Sequence, residues 1–169
     1  MRLPPYSLAL STALFLNHQA LAAVIGDPET KFTAEYGSAI EVKNVDPGVV
    51  EKTYPYEKNG VRFHIRAFFF QGICHWWQIE SQFGRPLDDA TIKSWLEANS
   101  ATEIDPAHSW VSMSPKSSQP PGTKMWVRRD SRYEVVLAEY HVLTGPKYAA
   151  HDFWNLEFKT GKALDWLSK

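Results

Sequence analysis

Residues 59–83 read NGVRFHIRAFFFQGICHWWQIESQF, and the side-chain alternation in this stretch decides the fold. In its first half Val61, Phe63, Ile65 and Ala67 fall on one side of an extended chain, while Arg62, His64 and Arg66 fall on the other. That pattern predicts a half-buried strand with a basic outer face. Gln71-Gly72 then separates it from a second apolar run, so the two halves read as neighbouring antiparallel strands. At the upstream end, Asn59-Gly60 accepts the positive φ angles of a tight primed turn and predicts a further hairpin to a strand over Glu51–Glu57.

Working outward, Tyr36–Val45 alternates as a strand, and Asp46-Pro47-Gly48 closes it with turn chemistry. Downstream, Pro86-Leu87-Asp88-Asp89 opens a helix that runs to about Asn99. Its Leu87, Ile92, Trp95 and Leu96 recur at helical spacing, and the two aspartates suit the positive end of the helix dipole. Ser109–Met113, Thr123–Arg129 and Arg132–Leu143 are further strand candidates, with a turn at Asp130-Ser131. Ser114–Thr123 (SPKSSQPPGT) is a surface loop, because its prolines can extend neither a helix nor a central strand. Residues 145–169 leave two readings open, a strand over His151–Lys159 and a short helix over Lys162–Leu167. The sum is an α+β fold: a mostly antiparallel sheet of about seven strands with one main helix, residues 87–99, packed on one face.

The hairpin, the helix PLDDATIKSWLEANS and the Trp-containing strand that follows resemble small secreted bacterial proteins. The resemblance spans Asn59–Trp126 and implies the same α+β arrangement.

The N-terminus, MRLPPYSLALSTALFLNHQALAA, sets one positive residue (Arg2) before an apolar run and ends on Ala20-Leu21-Ala22. This is the layout of a secretory signal peptide. The run is short of the about 20 residues that a permanent span needs. Residues 1–22 are therefore expected to be removed, with a cut after Ala23 as the alternative to one after Ala22 and a buried N-terminal helix as the competing reading. A single domain, residues 23–169, is left, secreted or periplasmic and with no stable membrane span. The 169-residue chain has 18 Lys and Arg against 19 Asp and Glu, a net charge of −1. No global field favours nucleic acid. One cysteine excludes an internal disulfide and any zinc site built on paired thiols.

Cys74 beside His75 invites a thiol nucleophile, but adjacent strand residues point to opposite faces and cannot form a dyad. With a turn on Gln71-Gly72, Cys74 faces Phe69 in apolar surroundings that hold a thiol protonated. No catalytic residue is assigned, and Cys74 is the one candidate. Five histidines remain after export: His64, His75, His108, His141 and His151. None has a ligand spacing, and His64 and His75 would stand on the order of 13 Å apart along the strands. No metal and no cofactor is assigned, although His108, His141 and His151 could still assemble through the tertiary fold. The acids Glu80, Asp88, Asp89, Glu134, Glu139 and Asp152 show no spacing that singles out a pair for glycoside hydrolysis. Serine-hydrolase and phosphate-loop motifs are absent.

Aromatic residues stand out, with 7 Trp, 7 Tyr and 9 Phe. Trp76 and Trp77 must face opposite sides of the sheet. Arg62, His64, Arg66, His75 and Trp77 align on the outer face of the hairpin if the turn has two residues, which makes that face the candidate binding surface. Arg128, Arg129 and Arg132 crowd the second hairpin's tip, as a solvated loop or a contact for an anionic partner. The functional expectation is a non-enzymatic binding module that contacts an envelope protein, peptide or glycan. The alternatives are a small envelope-acting enzyme, cysteine-dependent or hydrolytic, and a structural surface protein.

Overall fold

The decisive hairpin forms as β3 (Val61–Phe70) and β4 (Ile73–Ser81), joined by Gln71-Gly72 with Phe70 opposite Ile73. Both turn residues take positive φ, 52° at Gln71 and 76° at Gly72, the primed geometry that matches the twist of the flanking strands. The computed structural model describes residues 23–58, 61–81, 87–100, 109–130, 134–143 and 153–167. Residues 1–22, and with them the expected signal peptide, lie outside these, as do His108, His151, Arg132 and Asp152.

β1 (Glu41–Asp46) and β2 (Val49–Lys58) extend the hairpin on one side. On the other side come β8 (Phe153–Thr160), β7 (Glu134–Leu143), β6 (Lys124–Asp130) and β5 (Val111–Met113). The result is one eight-stranded sheet in the order β1-β2-β3-β4-β8-β7-β6-β5, with every neighbouring pair antiparallel. The last segment thus inserts as a central strand beside β4. The α+β reading holds, with eight strands in place of about seven.

Among the described residues three helices accompany the sheet. The main one, α2 (Asp89–Ala98), begins where Asp88 Oδ1 accepts the Thr91 backbone N–H at 2.7 Å, and it buries Ile92, Trp95 and Leu96, the i, i+3, i+4 set of one face. α1 (Glu29–Tyr36), for which the sequence had suggested no helix, buries Phe32 and Tyr36 and stops at Gly37, whose φ of 82° suits glycine. The start of the proposed strand at Tyr36 is therefore the end of a helix. α3 (Gly161–Leu167) follows β8.

The core lies on the sheet face that meets α1 and α2. Phe32 packs edge-on to Phe69 with ring centroids 5.1 Å apart, Tyr56 meets Trp95 at 6.0 Å, and Trp77 meets Phe158 at 5.2 Å. Cys74, Ile65, Ala67, Ile79, Tyr54, Ala138, Trp154 and Leu156 complete it. The segment before α1 is tied to the hairpin by Gly26 N–H to the Cys74 carbonyl (2.9 Å) and Cys74 N–H to the Asp27 carbonyl (3.0 Å).

Candidate binding face

The opposite face is built from alternate residues of the same strands, and a β-bulge decides which ones. Phe69 pairs with Cys74, but Phe68 pairs with Trp76, so His75 is an extra residue in β4. A bulge of this kind advances the register by one position. Beyond it Trp77 falls opposite Ala67 and enters the core with no exposed surface, while Trp76 turns to the polar face. The expected grouping of Trp77 with Arg62, His64, Arg66 and His75 is corrected on this point. Arg62, His64 and Arg66 share the outer side, where Trp76 stands in place of Trp77, whereas His75 is the bulged residue and is buried against Trp166 and Thr160.

The pairing register lines up Thr53, Arg66, Gln78, Glu157 and Glu139 in one row across five strands. A second row holds Glu51, Phe68, Trp76 and Lys159, and a third His64, Glu80, Asn155 and His141. The basic outer face expected of β3 is therefore neutralised by carboxylates from its neighbours. Arg66 reaches Glu51 at 2.7 Å and Glu80 at 3.1 Å, and its side chain keeps 35% of its surface exposed. Arg62 stands at the exposed end of the strand, 3.7 Å from Glu57.

Phe68 and Trp76 stack with centroids 4.1 Å apart and rings within 11° of parallel. The Arg66 guanidinium lies over Phe68 at 5.6 Å and Lys159 Nζ over Trp76 at 5.1 Å. Each ring thus has one π face on its partner and a cation over it as well, an arrangement favoured by the ring quadrupole. Trp76 Nε1 donates to Glu157 at 3.1 Å.

Glu139, Glu157 and His141 bring their ligand atoms within 4.8 Å of one another. This is a metal-like donor set, but Lys159 already sits in it, 2.7 Å from Glu157 and 3.3 Å from Glu139. His141 Nε2 lies 3.5 Å from Glu157 and 3.7 Å from Glu139. The carboxylates, Glu139 foremost, raise the His141 pKa to about 9 against the cost of burial. In return His141, with Lys159, pulls the Glu139 carboxyl down to about 2. On its other edge His141 Nδ1 meets Thr123 Oγ1 at 3.2 Å, and Thr123 Oγ1 donates to the Pro120 carbonyl at 2.8 Å. A protonated imidazole thus has an acceptor at each nitrogen. Gln119 donates to Glu139 at 2.8 Å, so the Pro-rich loop 114–123 is tied to this face by hydrogen bonds from Gln119 and Thr123.

The remaining sequence candidates separate. His75 is buried beside Phe70 and Trp166, with Nδ1 3.1 Å from Thr160 Oγ1, and burial together with Lys162 lowers its pKa to about 4. Cys74 has no exposed surface, its Sγ donates to the Trp76 carbonyl at 3.3 Å, and burial pushes its thiol well up. An un-ionised thiol is a poor nucleophile. Arg128 is buried too, in place of the solvated tip the sequence had suggested, whereas Arg129 is exposed. The charged cluster escaped the sequence reading, although its signal was there. Glu139-x-His141, Glu157-x-Lys159 and Gln78-x-Glu80 each put two polar groups on one strand face, and only the register shows that these faces coincide.

Fold and face together define an α+β protein with a charge-compensated, aromatic-bearing sheet surface. No protein-family model and no curated protein matches the chain. Among solved structures it is similar to a cysteine-rich secretory protein from Staphylococcus aureus, at 14% identity and a TM-score of 0.39, over 83% of this chain and 46% of that one. The chain thus spans less than half the length of that protein. Among the described residues no helix is long and apolar enough to cross a membrane.

Proposed function

We propose that this is an exported binding module, without catalytic activity, that holds an uncharged polar ligand of the cell envelope, a glycan or a peptide, on the sheet face bearing Arg62, His64 and Arg66. The observation that carries the reading is Arg66 itself. Held by Glu51 and Glu80 beside the Phe68–Trp76 stack, it presents a fixed and partly exposed guanidinium. A guanidinium has five N–H donors, so donors remain for ligand oxygens, while the compensating carboxylates disfavour an anion. Export rests on the layout of residues 1–22. The non-catalytic reading is supported by the state of the titratable groups: Glu139 is held ionised and His141 protonated within one closed set of pairs, and Cys74 is buried. A general acid or nucleophile has to exchange a proton at working pH, which these groups are poorly placed to do.

Co-sedimentation with insoluble envelope polymer tests the proposal. The wild-type protein is expected to pellet with peptidoglycan sacculi. Arg62→Ala/His64→Ala, which touches none of the buried ion pairs, should reduce the pelleted fraction several-fold without moving the melting temperature. Equal retention of this variant would remove Arg62 and His64 from the face, and equal retention of a folded Arg66→Ala variant would remove the face from consideration.

A further inference from the structure

β1 is an edge strand, paired only with β2 among the described residues, and all six of its residues are exposed. It also carries apolar side chains in the open: Val42 is 58% and Val45 46% exposed, and the preceding Ile40 59%. Natural sheets usually shield such an edge by shortening it, charging it or covering it. The opposite edge, β5, follows that practice with three residues and a proline two positions beyond Met113. β1 has twice that length, with a bulge at Val45 that leaves Glu41–Asn44 as its regular edge, and the charges on that regular part alternate in a way that specifies a partner.

We propose that β1 pairs antiparallel with β1 of a second copy of this chain, with Val42 on the two-fold axis, to make a continuous sixteen-stranded sheet. A two-fold axis that joins two equal edges stands normal to the sheet, and each residue then faces one of the same parity, so that side chains keep to their own face. With the axis at Val42, Glu41 faces Lys43 of the second copy and Lys43 faces its Glu41, while Val42 meets its own copy. Moving the axis one residue to Lys43 puts the two lysines against each other. Moving it to Asn44 runs the pairing into the bulge at Val45, beyond which Asp46 stands on the opposite face from Val42. Only the Val42 register places opposite charges in direct opposition, where cross-strand pairs stabilise and like charges destabilise.

The strand is already arranged for this. Glu41 and Lys43 project on one side of β1, with Lys43 Nζ 2.9 Å from Glu41 and about half of each side chain exposed. In the dimer the same four side chains form a closed square of alternating charge. Val42 lies on the other side of the strand, where the two copies bury it. The same two-fold axis keeps α1 and α2 of both copies on one face and leaves both polar faces on the other, so the dimer offers two copies of the proposed binding face side by side. The pairing does not depend on that face having a ligand.

Sedimentation velocity over a range of concentrations tests the arrangement with the exported chain. A dimer is expected for the wild type, with Val42→Glu shifting it to monomer because two carboxylates then meet on the axis. Glu41→Lys and Lys43→Glu should each weaken association about tenfold, and the double variant Glu41→Lys/Lys43→Glu should restore it, since the exchanged charges face each other again. Far-UV circular dichroism checks that each variant folds. The proposal is overturned by a wild-type monomer at all concentrations, including one that adds a foreign strand to β1. Polymers that grow with concentration, as β1-to-β5 pairing would produce, also overturn it, and so does a double variant no better than the single ones.

Discussion

Trp77 of β4 and Trp95 of α2 meet with ring centroids 5.1 Å apart and planes inclined at 47°. Each also touches a third ring, Phe158 for Trp77 and Tyr56 for Trp95. α2 is thereby held to the sheet by one large side chain, flanked by Ile92 and Leu96. Replacing a buried Trp by Ala costs about 3–5 kcal/mol, through lost transfer energy and the cavity left behind. Trp95→Ala is expected to fall in that range in urea unfolding with an unchanged slope. A loss under about 1 kcal/mol would mean that the helix is not packed as described.

Much of this fold was legible because its signals are local. Alternation in Val61–Ala67, the Gln71-Gly72 turn and the Ile92-Trp95-Leu96 spacing each depend on residues a few positions apart. The strand over His151–Lys159 was legible too, but not its place between β4 and β7, which is a tertiary choice. The bulge at His75 left no such mark. No glycine or proline announces it, yet it sends Trp77 into the core and Trp76 outward, which recasts the expected binding set. α1 was missed for a related reason: only Phe32 and Tyr36 of its eight residues are buried, too few for a periodic signal. The Glu139–Glu157–Lys159–His141 set depends on the register of β7 against β8, which a linear reading of charges does not fix.

Two histidines, the buried His75 and the part-buried His141, set opposite arms of the stability profile. His141 has its pKa raised to about 9 by Glu139 and Glu157, so its contribution is complete below its ordinary value of 6.5 and is lost as pH rises through 9. His75 has its pKa lowered to about 4 by burial, so its contribution is complete above 6.5 and is lost as pH falls through 4. Between them stability should peak near pH 6.5. Glu139, held at about 2 by His141, adds a further loss as pH falls below its ordinary 4.5. His141→Gln is expected to flatten the alkaline arm and His75→Gln the upper part of the acid arm. Melting temperatures across pH 4–10 measure both, and an alkaline arm unchanged in His141→Gln would refute the assignment.

Arg128 closes the far end of α2. Its Nε donates to the carbonyl of Asn99, the helix C-cap, at 2.9 Å, its Nη1 pairs with Asp130, and its guanidinium lies 5.3 Å from the Trp110 ring centroid. Both charged side chains are only 2% exposed. Arg128→Ala removes the countercharge beside Asp130 and the donor at the helix end, and it should cost about 3–5 kcal/mol, the usual range for breaking a buried pair. Arg128→Lys keeps the charge but loses the planar fork, so it should recover only part of the loss. Full recovery by lysine in chemical denaturation would show that charge alone is at work.

The segment Ala23–Asp27 bears on where the proposed signal peptide would be cut. Tyr36 Oη donates to the Ala23 carbonyl at 3.0 Å, Ile25 N–H to Asn99 Oδ1 at 3.3 Å, and Val24 N–H to Asp27 Oδ2 at 2.9 Å. A cut after Ala22 keeps all three bonds. A cut after Ala23 removes the carbonyl that satisfies the buried Tyr36 hydroxyl and turns the Val24 N–H into a free ammonium. Losing the partner of a buried hydroxyl costs about 1–3 kcal/mol, so the two products differ in stability as well as mass. The exported protein is expected to begin at Ala23 by N-terminal sequencing. A variant lacking Ala23 should melt at a lower temperature, and Tyr36→Phe should remove most of the difference between the two forms, because the orphaned hydroxyl is then absent from both. A mature chain that begins at Val24 and is no less stable would show that the Tyr36–Ala23 bond does not anchor the N-terminus.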